Sequence, residues 1–377
     1  MKYILKNIIK QALPVIICIL AIASCNKTLE RFSSPIATTQ NSLTISDFLI
    51  SDTNYSLLNA LVIRAGLTAT LSDKNNTFTL FAPNNAAFRA AGFTTTAIVS
   101  GLPVASAAGI AGYLLVPGRE YTFADIPTTF PNIQLPTTLS IGVLPGTPVP
   151  FKLTIFPSKR GTTVWVNNVA ALSFDMHFQN GIVHTISGIV SPPSLLLAQM
   201  IYVDPQFTMF DSLIARGDAA QPNPALKIDS ALKNPGANLT VFAPTNTAVK
   251  AFINAASGGA IPLAAPDAVF FGFIRTSFPA TSAQGIVLYH IMGVRAFSVN
   301  FPSTATFFPT LLNGGVPTHP GVSVQSFFKT GGLSVDSIKV LGVANGGIPA
   351  TSKPPSNFDK NAVNGVVHII DKVLLPF

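Results

Sequence analysis

Three sets of residues in this 377-residue chain have types and spacings that chemistry could use. Ser230 and Lys233 stand in the Ser-x-x-Lys spacing that lets a lysine relieve a nucleophilic serine of its proton. Lys329-Thr330-Gly331 fits the later Lys-Thr-Gly of penicillin-recognising acyl transferases. The middle Ser-Asp-Asn element is absent, and Ser230 precedes an apolar strand in a segment that the fold needs for its own core. The second set is five histidines, His177, His184, His290, His319 and His368, a residue type that binds metals and moves protons near neutral pH. No two share the His-x-x-x-His spacing of a helical zinc pair, and neither cysteine is available to complete a ligand set. Gly-x-Ser-x-Gly, a phosphate loop and His-Glu-x-x-His are all missing, so nucleophile, phosphate and zinc chemistry have no foothold. The expectation is a chain with no catalytic residue, no metal and no cofactor.

The third set is one thiol. Lys2, Lys6 and Lys10 precede an apolar run from Ala12 to Ala23, which reads as an export signal, and Ile22-Ala23-Ser24-Cys25 resembles a bacterial lipobox. In such a string cleavage before the cysteine follows diacylation of its sulfur, so Cys25 becomes the lipid-bearing first residue of the mature chain. Residues 1–24 are then a lipoprotein signal peptide, and residues 25–42, polar and aperiodic, a flexible tether. Pro14 and the shortness of the apolar run argue against a spanning helix of about 20 residues. Cys18 leaves with the signal, so the exported domains are expected to carry no disulfide. Loss of the three signal lysines lowers the formal charge from +8 to +5, and the remaining cations are scattered, which argues against a nucleic-acid partner. With 48% hydrophobic and 10% charged residues, against about 25% charged in ordinary soluble domains, the chain has ample core material and an uncharged surface. Its mean hydropathy of +0.47 is not that of a cytosolic enzyme.

The elements that must position these residues come twice. "FTLFAPNNAAF" from Phe78 and "LTVFAPTNTAV" from Leu239 each read as a strand, an Ala-Pro stop at Pro83 or Pro244, and a helix start. The polar pairs Asn84-Asn85 and Thr245-Asn246 supply side-chain oxygens as helix N-caps. Ahead of each string lies a helical pattern, Leu57, Leu58, Leu61 and Val62 in one copy and Met209, Phe210, Leu213 and Ile214 in the other. "NGIVHTISGIV" from Asn180 and "NGVVHIIDKVLLP" from Asn364 close each unit as a turn followed by a strand. On those strands His184 shares a face with Ile182 and Ile186, and His368 with Val366 and Ile370, which makes them core histidines that need hydrogen-bond partners. The boundaries are residues 43–193 and 194–377, separated at the stiff "SPPS" of residues 191–194. The second unit is longer. Its surplus falls around "INAASGGAIPLAAPDAVFFGF" before Tyr289, and around "NGGVPTHPG" or "ANGGIPATSKPPSN" after it.

Three landmarks in fixed order, twice over, resemble the fasciclin-type domain of secreted and surface adhesion proteins and bacterial lipoproteins. The middle landmark in that family is a Tyr-His pair, met here by Tyr289-His290, whereas the first unit has Tyr113-Leu114, and Ser187 stands where the second has Asp371. The resemblance implies an α+β fold, two tandem domains each built as a twisted β-sandwich or wedge flanked by short helices. It also implies a non-catalytic binding or adhesion module that contacts a protein or glycan, with Tyr289 and His290 as candidates for that contact against the competing reading of a tertiary hydrogen bond. Together with Cys25 this places the chain in a Gram-negative cell envelope, held by lipid at the outer membrane, with the face it occupies and its oligomeric state left open. Loops of the second domain are the expected contact element, their phenylalanines in "AVFFGFIRTSF" and "TATFFPTLL" serving as anchors unless they are interior. The alternative is an accessory glycan-binding lipoprotein of an outer-membrane uptake system, although Trp165, the only tryptophan, sits in an alternating strand. Asp229-Ser230-Ala231 and Asp336-Ser337-Ile338 resemble glycosylation acceptors of exported proteins, as does the less suitable, helical Asp211-Ser212-Leu213.

Overall fold

The computed structural model describes residues 42–377 apart from 144, 145 and 147; the signal peptide, Cys25 and the tether up to residue 41 lie outside the described residues. The first repeat begins with α1 (Ile45–Ser51), α2 (Ser56–Arg64) and α3 (Thr68–Ser72), followed by β1 (Phe78–Pro83), α4 (Asn85–Ala90), α5 (Thr96–Ser100), α6 (Val104–Tyr113) and β2 (Leu115–Pro117). A meander follows: β3 (Leu135–Val143), β4 (Pro150–Ile155), β5 (Pro157–Arg160), β6 (Thr163–Val166) and β7 (Val169–Phe178). The closing strand is β8 (Gly181–Ile186). The second repeat runs α7 (Leu197–Val203), α8 (Thr208–Asp218), α9 (Ile228–Lys233), β9 (Leu239–Pro244), α10 (Asn246–Ala256), α11 (Asp267–Gly272), α12 (Ala280–Tyr289) and β10 (Ile291–Met292). It continues through β11 (Thr306–Phe308), β12 (Val322–Phe328), β13 (Val335–Leu341), β14 (Ala350–Ser352) and β15 (Lys360–Ala362) to β16 (Gly365–Ile370).

The repeated strings mark repeated structure. In each repeat the opening strand lies parallel to the closing one, from Phe78 opposite Gly181 to Pro83 opposite Ile186, and from Leu239 opposite Gly365 to Pro244 opposite Ile370. Phe78 and Leu239 therefore occupy the same place in two copies of one sheet. The four strands are buried at every residue, which is why they read as apolar runs rather than alternating ones. The helical patterns are also met: all four named apolar residues of α2, and all four of α8, are buried. The fold is α+β, as the sequence implies.

The repeats differ where the second is longer. Helix α10 runs to Ala256, whereas α4 stops at Ala90, and residues 257–266 follow as a loop. The meander strand β7 is continuous but bears two register irregularities, and its counterpart is split into β14 and β15.

A third core joins the repeats. Phe156, Trp165 and Ala170 from the first meander pack with Phe242, Phe297, Phe301, Val324 and Ile338 of the second repeat. Trp165 Nε1–H donates to the Leu333 carbonyl at 2.8 Å, and Arg160 Nη2 donates to the carbonyls of Val299 and Phe301 at 3.0 and 2.7 Å. With that core and those bonds shared between the repeats, the Pro-rich break at residues 191–194 is no free hinge. Both repeats belong to one compact unit. Urea unfolding of the mature chain is expected to show a single transition, whereas a chain starting at residue 194 should lose several kcal/mol, since truncating one buried tryptophan alone costs about 3–5 kcal/mol. Two separated transitions, or an isolated second repeat of full stability, would contradict the shared core.

Candidate functional site

The polar pair after each opening strand is divided between two helices. Its first member caps the helix that follows, Ala87 N–H donating to Asn84 Oδ1 at 3.0 Å and Ala248 N–H to Thr245 Oγ1 at 3.3 Å. The second member reaches back to the start of an earlier helix, α2 in the first repeat and α8 in the second. Asn85 Oδ1 accepts from Leu57 N–H at 3.0 Å while its Nδ2 donates to the Thr53 carbonyl and Ser56 Oγ. Asn246 does the same with Met209 N–H at 3.0 Å, the Pro205 carbonyl and Thr208 Oγ1. Asn85 and Asn246 are therefore clasps between elements rather than caps of their own helices, a correction to the local reading. Pro83 and Pro244 end the strands just before these pairs.

The closing Asn-Gly is likewise more than a turn. Asn180 Oδ1 accepts from Ile45 N–H at 2.9 Å and its Nδ2 donates to the Leu71 and Asp73 carbonyls; Asn364 repeats this with Leu197 N–H at 2.8 Å and the Leu232 and Asn234 carbonyls. Both amides are buried, so every one of these bonds replaces water that cannot enter. A Cβ on Gly181 would collide with the Phe78 carbonyl, and one on Gly365 with the Leu239 carbonyl, which is why glycine follows each asparagine.

His184 and His368 occupy one environment twice. Asp175 N–H donates to His184 Nδ1 at 3.2 Å and Asp359 N–H to His368 Nδ1 at 3.3 Å, while the Nε2–H groups donate to the carbonyls of Tyr121 at 2.7 Å and Ala296 at 2.9 Å. Asp175 and Asp359 take left-handed backbone angles, φ 57° and 58°, to aim those N–H groups. A neutral imidazole with both nitrogens occupied has no lone pair left for a metal or a proton, and burial pushes both pKa values down. The sequence signals the histidines as core residues; the aspartates that orient them carry no signal beyond the residue type that tolerates positive φ.

Tyr289 and His290 are both fully buried. Tyr289 Oη donates to the Gly321 carbonyl at 2.7 Å and accepts from Val343 N–H at 3.2 Å. His290 Nδ1–H donates to the Ile286 carbonyl at 2.8 Å, its Nε2 accepts from Leu374 N–H at 2.9 Å, and burial pushes its pKa down to about 4. Side chains without exposed surface have none to offer a partner, so the expected contact role gives way to the tertiary hydrogen bond. Leu114, in the equivalent place, is an apolar version of the same buried position.

The other candidates are also occupied. His319 Nε2–H donates to the Pro376 carbonyl at 2.9 Å and its Nδ1 accepts from Gly321 N–H, and His177 Nδ1 lies 3.1 Å from Glu120 Oε2. Ser230 Oγ–H donates to the Pro224 carbonyl at 2.7 Å while Lys233 Nζ pairs with Asp229 at 2.9 Å, so serine and lysine do not engage each other. Among the described residues no group of three or more His, Cys, Asp and Glu could hold a metal ion. Of the glycosylation strings, Ser212 and Ser337 are buried and Ser230 is half-buried. The aromatic strings of the second repeat are divided between interior and surface. Phe270 and Phe278 are buried, Phe271, Phe273 and Phe308 half-buried, and Phe307 alone among them is exposed, at 56%.

The fasciclin domain model matches residues 53–192 and 206–376, nearly the whole of both repeats. No curated protein matches the sequence. Among solved structures the chain is similar to a domain pair from the insect cell adhesion molecule fasciclin I, at 15% identity over 85% of this chain and 96% of that one, with a TM-score of 0.36. The chain, with its opening strings, closing strings and central parallel strand pairs all present twice, belongs to the fasciclin domain family, whose members are adhesion-type, non-enzymatic modules.

Proposed function

We propose that this is a lipid-anchored binding or adhesion module of the cell envelope, tied to the outer membrane through Cys25 and contacting an envelope or extracellular protein or glycan. The observation that carries the reading is the fasciclin match across both repeats. The lipobox-like string supports the anchor. Acyl chains hold a protein at a membrane by burying methylenes, each worth about 0.8 kcal/mol. No helix among the described residues is long and apolar enough to cross a bilayer.

The contact surface assigned to the second repeat consists of the loop 257–266 and the edge strand β11, where Leu263 is 58% and Phe307 56% exposed. Exposed side chains on a rigid scaffold are where a module of this kind engages a partner. Two measurements test the reading. Cells fed a radiolabelled fatty acid should label the wild-type chain and not Cys25→Ser. The double variant Leu263→Asp, Phe307→Asp should lose partner capture from intact cells while its stability stays within about 0.5 kcal/mol of the parent, because neither side chain is in a core. An unlabelled mature protein, or unchanged capture by the double variant, would refute the anchor or the surface respectively.

A further inference from the structure

Arg295 breaks the symmetry of the repeats. Thr240 Oγ1–H donates to the Val294 carbonyl and accepts from Ala296 N–H, as Thr79 Oγ1 does with Arg119 and Tyr121, so Arg295 stands where the first repeat has Glu120. Asn361 lies opposite Val366 as His177 lies opposite Ile182, so Asn361 stands where the first repeat has His177. The first repeat therefore pairs a carboxylate with an imidazole, whereas the second puts a guanidinium beside an amide.

That guanidinium is buried, at 4% exposure. Nε donates to Asn238 Oδ1 at 2.7 Å, Nη1 to Asn361 Oδ1 at 2.8 Å and Nη2 to the Val363 carbonyl at 2.9 Å, and the group lies 4.4 Å over the ring of Phe156 from the first repeat. Every acceptor is neutral, and no ion pair to Arg295 is present among the described residues. Burial lowers its pKa to about 10, which leaves it charged at neutral pH. A guanidinium carries five N–H donors, so one on Nη1 and one on Nη2 remain after these three bonds. A buried charge without a counter-charge is costly. Phe156, Asn238 and Val363, which surround the group, also line a cleft of about 180 Å³ between the repeats, far more than the 10–15 Å³ one water needs. Lys152, exposed, stands on the wall of that cleft, and among the described residues no acidic one lines it.

We propose that the cleft between the repeats is an anion site, with Arg295 in its floor and Lys152 on its wall binding the carboxylate of a small ligand. The two remaining N–H groups present a fork for the two oxygens of a carboxylate, whereas a phosphate dianion must give up more hydration to enter the same cleft, a cost that the exposed, water-screened Lys152 offsets little. The site does not depend on the adhesive reading, since it uses neither Leu263, Phe307 nor the lipid.

The test is titration of the mature, unlipidated protein with sodium glucuronate, glucose and inorganic phosphate, followed by amide chemical shifts and calorimetry. Glucuronate should saturate in the millimolar range, shifting the amides of Asn238 and Val363, with glucose inert and phosphate at least several-fold weaker. Arg295→Gln should abolish saturation and Lys152→Glu should weaken it at least tenfold. If Arg295→Gln fails to fold, Lys152→Glu, whose site is exposed, decides. An equal response to glucose, no saturation by glucuronate, or affinity unchanged in Lys152→Glu would overturn the assignment.

Discussion

Asn364→Ala is expected to destabilise the protein by about 3–5 kcal/mol, a large part of the total stability of a domain this size. The amide holds three backbone groups from two elements, and its loss leaves the Leu197 N–H and the Leu232 and Asn234 carbonyls without partners in a dry interior. Asn364→Asp discriminates lost bonds from lost volume. It keeps the shape and the acceptor for Leu197 N–H but turns a carboxylate oxygen towards two carbonyls, so it should be at least as damaging as alanine. Asn180→Ala and Asn180→Asp should behave alike, because the first repeat makes the same three contacts. Urea midpoints followed by the fluorescence of Trp165, buried where the repeats meet, report all four. Asparagine variants within about 1 kcal/mol of the parent would show that these amides are replaceable turn residues.

Acid is expected to weaken the protein well before its carboxylates titrate. His184, His290 and His368 are held neutral by burial, with pKa values below their unfolded value of 6.5. Between the two values the unfolded chain binds more protons than the folded one, so their contribution is complete above pH 6.5 and is lost as pH falls towards the folded pKa, about 4 for His290. For His290 alone the difference amounts to roughly 3 kcal/mol. His290→Leu, which installs the residue type of Leu114, leaves the Leu374 N–H unpaired and should cost about 1–3 kcal/mol at pH 7. At pH 4.5 the variant has no imidazole to charge, so the gap should close or reverse. A gap of constant size across that range would mean that His290 does not resist protonation.

The elements that local chemistry dictates were legible: the helical spacing of Leu57, Leu58, Leu61 and Val62, the proline stops at Pro83 and Pro244, and the all-apolar strands. What the repeated strings encode at a distance was not. Asn85 and Asn246 sit in N-cap positions by sequence, yet their partners Leu57 and Met209 lie 28 and 37 residues away, beyond any periodicity. Arg295 reads as one scattered cation, and only its hydrogen bond to Asn361 together with the strand register shows that it faces an amide where the first repeat has an imidazole. Tyr289-His290 is a contact candidate only through the family resemblance, and burial of both decides for the competing tertiary hydrogen bond.

The parallel pairing of β9 with β16 has a consequence for the life of the chain before it is folded. The strand that completes the second sheet, Gly365–Ile370, is separated in the chain from its partner, Leu239–Pro244, by nearly the whole of the repeat. A growing polypeptide cannot pair those strands until the whole of the repeat between them has been made, and joining segments so far apart is slow. The delay keeps each repeat open while it is being made, because its final strand is the part that locks it.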